Sequence, residues 1–273
     1  MPEQFTNKVC VVTGAGSGIG RGLVLGLLAE GARVFAIDVH SGRLKTLEAE
    51  APTGLKTHVA DVAKREEMIA VAERIHAEAG SVDLLINNAG VTLLGETADL
   101  HFAQWRRVLD INYLGTLHGI HCFYPKMVER GSGHIANIAS VAGSSGYASA
   151  QAYATSKAAV IGFTRSLQVE AKRHGVRVTN VCPSYVETGI FDDSLGDGWT
   201  GEGIRATFMT SPVSAAEAAK RVLNGLRRGG KTVVFPLSGR LLYWMSLWCP
   251  WGLAPVQRML LAKYRKARPA PGG

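Results

Sequence analysis

Acidic residues are missing from the end of this chain: between Ala218 and Gly273 stand eleven Lys or Arg and no Asp or Glu. The formal charge of +8 therefore belongs to one segment, because the rest carries nineteen basic against twenty-two acidic side chains. A basic tail without a recognised reader motif does not make a nucleic-acid protein, and no nucleic-acid partner is expected. Cysteine is also scarce. Cys10, Cys122, Cys182 and Cys249 lie far apart, at neither a metal-ligand spacing nor the paired spacing of a secreted framework. They predict no metal, and buried, reduced thiols. Met1 to Lys8 lacks a basic flank followed by an apolar run, so no secretory signal and a cytoplasmic location are expected. No apolar run approaches the roughly 20 residues that span a bilayer. With no low-complexity tract and 19% charged residues, disorder across residues 1–235 is excluded as an expectation.

What is present fits one large α/β domain: 273 residues, 47% of them hydrophobic, enough for a core on both faces of a sheet. Short β-branched runs at Lys8–Thr13, Arg33–Ile37, Lys56–Ala60, Asp83–Asn87, His134–Ala139, Arg177–Val181 and Thr232–Phe235 predict seven strands. Helical spacing separates them at Ile19–Glu30, Lys64–Gly80, Trp105–Glu129, Gln151–His174 and Ala215–Arg228. The alternation predicts a doubly wound (Rossmann) parallel sheet with helices on both faces. Residues 1–236 are expected to form the dinucleotide-binding catalytic domain and 237–273 an apolar, basic tail. Thr188 to Ser211 break the rhythm with Gly, Asp, Ser and Thr after a strand end, and are expected to form a substrate lid.

Between the first strand and its helix runs Thr13-Gly14-Ala15-Gly16-Ser17-Gly18-Ile19-Gly20. Glycines there let the backbone turn sharply and approach a pyrophosphate, whose charge is stabilised by free amides and the helix dipole. The plainer reading is a tight turn. Asp38 closes the second strand 18 positions beyond Gly20, where a carboxylate accepts from both ribose hydroxyls of NAD and repels the 2′-phosphate of NADP. NAD is the expected cofactor, NADP the lesser candidate, with His40 and Arg43 as nearby groups that could take a phosphate. Asp61 and Val62 are placed to flank an adenine.

Tyr153 and Lys157, four apart in a helical stretch, share one helix face. An ammonium beside a phenol, whose ordinary pKa is about 10, favours the phenolate and suits it to acid/base work. By itself the pair also fits an ordinary surface Tyr and Lys. Together with the glycine loop, Asn87-Asn88-Ala89-Gly90, Asn112, and Ser140 ahead of Tyr-x-x-x-Lys, it resembles the classical short-chain dehydrogenase/reductase family over Lys8 to Pro236. The resemblance implies a tetrad: Tyr153 as proton donor or acceptor, Lys157 holding the nicotinamide ribose, Ser140 bonding the substrate oxygen, Asn112 positioning a relay water. It implies cofactor contacts at Gly14, Ser17, Gly18, Ile19, Gly20, Asp38, Asp61, Val62, Asn88, Ala89, Gly90, Tyr153, Lys157, Pro183, Val186 and Thr188. The chain departs from the family at Ser184, which follows Pro183 where glycine is usual.

The expected reaction is hydride transfer between NAD(H) and a secondary alcohol or ketone, with a hydrophobic or lipid-like substrate held by Tyr147, Tyr185, Ile190, Phe191 and Phe208. A non-catalytic dinucleotide sensor or scaffold on the same fold is the alternative. An extended-family epimerase fits the glycine spacing and length less well. A homodimer or homotetramer through the helices at Trp105–Glu129 and Gln151–His174 follows from the resemblance. The tail packs Tyr243, Trp244, Trp248 and Trp251 into Leu241–Leu253, then Val256, Met259, Leu260 and Tyr264 at helical spacing among basic residues. It is expected to lie on a membrane surface, on a neighbouring subunit, or over its own cleft.

Overall fold

The computed structural model describes residues 5–51, 53–188 and 211–267. The lid expected at 188–211, and with it Ile190, Phe191 and Phe208, falls almost wholly outside the described residues.

In chain order the strands are β1 (Val9–Thr13), β2 (Arg33–Asp38), β3 (Leu55–Val59), β4 (Leu84–Asn87), β5 (Gly133–Ile138), β6 (Val176–Pro183), the short β7 (Val186–Glu187) and β8 (Val213–Ser214), and β9 (Thr232–Phe235). Seven of them make one parallel sheet in the order β3-β2-β1-β4-β5-β6-β9. All seven expected strands are present. β4 reads as an unbroken buried run and β1, β2 and β5 almost so, as strands covered on both faces must. The order reverses between β1 and β4, which opens a crevice at the carboxyl ends of those strands.

The helices are α1 (Gly18–Ala29), α2 (Ser41–Glu50), α3 (Arg65–Ala79), α4 (Phe102–Leu109), α5 (Gly115–Arg130), α6 (Val141–Ser145), α7 (Gln151–Lys172), α8 (Ala215–Arg227), α9 (Leu237–Trp248) and α10 (Leu253–Ala267). One core layer gathers Leu23, Leu27, Ala218 and Leu226 of α1 and α8 on one face of the sheet, and a second gathers Met68, Ile75, Phe123 and Leu167 of α3, α5 and α7 on the other. The single helix expected at Trp105–Glu129 is instead α4 and α5 joined by a π-helical turn, Asp110–Leu114. Such a turn is paid for by side-chain bonds, which periodicity cannot reveal; here the bonds are those of Asn112. All four cysteines are free, but only Cys10 and Cys182 are buried, so the expectation of burial fails for Cys122 and Cys249.

The tail is ordered helix. α9 packs on α6 and β9, with Gly239 and Tyr243 buried and the Tyr243 hydroxyl accepting from Arg165 at 2.9 Å. α10 then crosses the open end of the crevice. Of the three placements expected for the tail, covering the chain's own cleft is the one that α10 adopts.

Candidate active site

Thr13 and Asn88 sew the two sides of the crevice together. The Thr13 hydroxyl accepts from the backbone of Asn88 (3.0 Å) and Ala89 (3.1 Å), and the Asn88 amide donates to the carbonyls of Thr13 (3.0 Å) and Gly14 (3.1 Å). This fixes the glycine loop against the β4 end. Gly14 sits at φ +62, where a Cβ would lie 2.7 Å from Ala89 Cα. Gly20 serves packing instead: its absent Cβ would fall 2.0 Å from the Gly14 carbonyl oxygen, and it does not line the cavity. Ser17, Gly18 and Ile19, at the start of α1, do line it, and the first turn of α1 carries no acidic side chain to compete for its amides.

Asp38 is buried at the end of β2. Its carboxylate accepts from the backbone of Gly16 (2.8 Å) and His40 (2.9 Å), so the charge is held by amides at the edge of the cavity that Asp38 lines. A Cβ on Gly16 would strike Arg43 Cβ at 2.7 Å, so Arg43 stands directly beside the loop. Asp61 accepts from Ala63 N at 3.0 Å and pairs with Arg107 at 3.1 Å; with Val62 it forms the next wall. Arg107 was not legible as a site residue, because it reaches Asp61 from α4 across the crevice.

At the other end Tyr153 and Lys157 project from α7 as expected. Ser140 caps α6, accepting from Ala142 N at 3.2 Å and donating to the Pro183 carbonyl at 3.4 Å, and its hydroxyl favours the Tyr153 phenolate. Lys157 Nζ donates to the Ile138 carbonyl at 2.7 Å and lies 5.8 Å from the centroid of the Tyr153 ring. Burial pushes the Lys157 ammonium down to about 8 and drives the Tyr153 phenol above its ordinary value, the Ser140 hydroxyl opposing that rise. The expected lowering of Tyr153 by Lys157 is therefore not what the structure gives. Desolvation of the buried phenol is the dominant cause of the rise. Behind them Cys182, its thiol pushed up to about 12 by burial, is a neutral packing group.

Asn112 is fully buried and its side chain does not reach the cavity. Its Oδ1 accepts from Val91 N at 2.8 Å, and its Nδ2 donates to the Val91 carbonyl and Ser156 Oγ, both at 2.9 Å. The side chain is thus spent in pinning the β4 loop to α7, and its carbonyl, within the π turn, accepts from the Thr116 hydroxyl at 2.9 Å. Gly90 lies in the same knot: a Cβ there would sit 3.2 Å from Asn112 Oδ1 and 3.3 Å from Lys157 Nζ.

Pro183, Val186 and Thr188 line the cavity from the β6 end. Ser184 fits without strain because its amide donates to the Phe235 carbonyl at 2.8 Å and its side chain packs on Gly239, whose absent Cβ would lie 2.6 Å from Ser184 Cβ. The departure from glycine at 184 is matched by glycine on α9.

These groups share one cavity of about 580 Å³. It runs from Asp38 and Asp61, past the glycine loop and Asn88-Ala89-Gly90, to Ser140, Tyr153 and Lys157, then to a wall of Leu94, Tyr147, Tyr185, Leu242, Leu253, Val256, Leu260 and Tyr264. Tyr147 and Tyr185 are where they were expected. Sequence reasoning missed Gln257, whose Oε1 accepts from Ala148 N at 2.8 Å and whose Nε2 donates to the carbonyls of Ser145 and Gly146 at 3.0 Å. Arg265 adds a two-pronged pair to Glu96 at 2.8 and 2.9 Å. Among the described residues no group of three or more His, Cys, Asp or Glu is placed to hold a metal.

The fit to a dinucleotide rests on this chain's own shape: bare amides at a helix start, glycines that leave the loop open, and a buried carboxylate one strand away. Residues 8–197 match the family described as short chain dehydrogenase. The chain is 34% identical over 246 residues to a Mycobacterium tuberculosis protein named "Putative oxidoreductase SadH", covering 87% of this chain and 89% of that one. It is similar in fold to a short chain dehydrogenase/reductase from Burkholderia phymatum in complex with NAD (TM-score 0.75, 28% identity, 85% of this chain and 90% of that one). A short chain dehydrogenase from Burkholderia cenocepacia in complex with NADP gives a TM-score of 0.79 at 26% identity, over 93% of this chain and 99% of that one.

Proposed function

Because the chain belongs to the short-chain dehydrogenase/reductase family of oxidoreductases, we propose that it binds a nicotinamide dinucleotide and interconverts a hydrophobic secondary alcohol and its ketone with NAD(H). The observation that carries this is the placement of Tyr153, with Ser140 and buried Lys157, between the glycine loop and an apolar wall in one cavity. When bound, the nicotinamide would take or give the hydride. Tyr153 donates its proton to the substrate oxygen in reduction and accepts it in oxidation; Ser140 holds that oxygen. Lys157 orients the nicotinamide ribose and supplies positive charge, and Asn112 acts by position, holding the loop and α7 in register.

Asp38 favours NAD: a 2′-phosphate would have to enter beside a buried carboxylate whose charge is fixed by two backbone amides. Arg43 is the cation that would favour the opposite choice. Titrating the protein with NADH and with NADPH decides between them without knowledge of the substrate, the expected outcome being at least about tenfold tighter NADH binding. Equal or tighter binding of NADPH refutes the Asp38 assignment. Tyr153→Phe should keep NADH affinity and lose at least about a thousandfold in kcat; retained activity would mean that Tyr153 is not the proton donor. The assembly we propose is a symmetric dimer or tetramer through α4, α5 and α7, which expose Phe102 and Val169.

A further inference from the structure

The outer side of α9 is apolar where a solvent-facing helix is ordinarily polar. Leu237, Leu241, Trp244 and Trp248 recur at i, i+4, i+7 and i+11, which makes one stripe. All four are exposed, Trp248 to 77%, and Trp251 in the 3-10 turn Pro250–Gly252 extends the stripe at 76%. None of this surface serves the core, which uses Gly239 and Tyr243 on the opposite side. Patches of this kind mark an interaction site. The charges that α9 and α10 themselves carry have one sign: Arg240, Arg258 and Lys266 are exposed, and no Asp or Glu follows Glu217 in the chain.

We propose that this face docks on an anionic phospholipid surface, with Trp244, Trp248 and Trp251 at the level of the headgroups. Charge complementarity selects the occupant. A second copy docked face to face would set one basic segment against another that supplies no acid of its own, whereas anionic headgroups neutralise it; tryptophan, apolar in body with one N–H donor, suits the boundary of water and acyl chain. The contact lies along the surface, since among the described residues no helix is long and apolar enough to cross a membrane. The same two helices wall the cavity through Leu242, Leu253 and Leu260, so docking sets that wall beside a store of apolar molecules. Only this last step rests on the proposed hydrophobic substrate.

The test is sedimentation of the full chain with vesicles of equimolar phosphatidylglycerol and phosphatidylcholine, beside vesicles of phosphatidylcholine alone, at low and high salt. Binding is expected to the anionic vesicles, to fall with salt, and to drop about tenfold in the Trp248→Ser, Trp251→Ser double variant, whose circular dichroism should match the wild type. Arg240→Gln should weaken the anionic preference by a smaller factor. Failure of the wild type to bind, or equal binding by the double variant, overturns the proposal. So does dissociation of an oligomer by the same substitutions without vesicle binding, which would assign the face to a second copy. Vesicle binding by a protein that turns over no alcohol would refute the enzymatic reading and leave the docking face standing.

Discussion

Burial changes the chemistry of Lys157 directly. Its folded pKa is near 8, against an ordinary 10.5 in the unfolded chain. A lysine lowered in this way binds fewer protons folded than unfolded between those values, so stability rises with pH through that window, by about 3 kcal/mol in all. Above about pH 10 the raised Tyr153 acts in the opposite sense, because the folded chain then keeps a proton that the unfolded chain releases. Urea unfolding of wild type and Lys157→Met should therefore converge between about pH 8 and pH 10, the variant being the more stable at neutral pH despite its lost activity. Parallel curves would show that Lys157 is not depressed. The same shift bears on turnover. Tyr153 must accept a proton in alcohol oxidation and is held protonated by burial, so the oxidation rate should climb with pH across the neutral range while ketone reduction does not.

At the scale of elements, α10 decides how the apolar end of the cavity is closed. Its inner face buries Leu253, Leu260 and Tyr264, side chains that contribute about 1.5–3 kcal/mol each when withdrawn from water. Gln257 is the latch, bonding three backbone groups of the segment between Ser140 and Tyr153. The Arg265 pair with Glu96 lies at the exposed rim, where solvent screens it, and adds little to the closure. Gln257→Ala is therefore expected to lower stability by about 1–3 kcal/mol and to raise KM for an apolar alcohol severalfold, with NADH affinity unchanged. An unchanged KM would mean that the latch does not shape the substrate end; a parallel loss of NADH binding would mean that α10 supports the whole crevice. The tail's helical spacing at Val256, Leu260 and Tyr264 was legible, and these side chains do face inward, whereas Met259 points out. Their partner surface was not, because it is built from segments more than a hundred residues earlier.

For the molecule as a whole, one cavity joins a polar, amide-lined half to an apolar half, with the Tyr153 hydroxyl group at the junction. An alcohol whose polar carbon sits at Tyr153 must leave the rest of itself against Leu94, Leu253, Leu260 and Tyr264. In a series of secondary alcohols, kcat/KM should rise by about fourfold for each methylene that this wall buries, as about 0.8 kcal/mol per group requires. A preference for small, charged alcohols would contradict the apolar assignment.

The sequence by itself determined the strands, the glycine loop, Asp38 and the Tyr153–Lys157 pair, because each is local: alternating burial, backbone freedom and a four-residue helical offset are written in neighbouring positions. The π turn around Asn112, the displacement of Gly20 into packing, the matching of Ser184 by Gly239 and the Gln257 latch were decided only by tertiary structure. Each depends on a contact between residues distant in the chain. The direction of the Tyr153 shift belongs with them, since the dielectric surroundings of a side chain are fixed by everything packed around it.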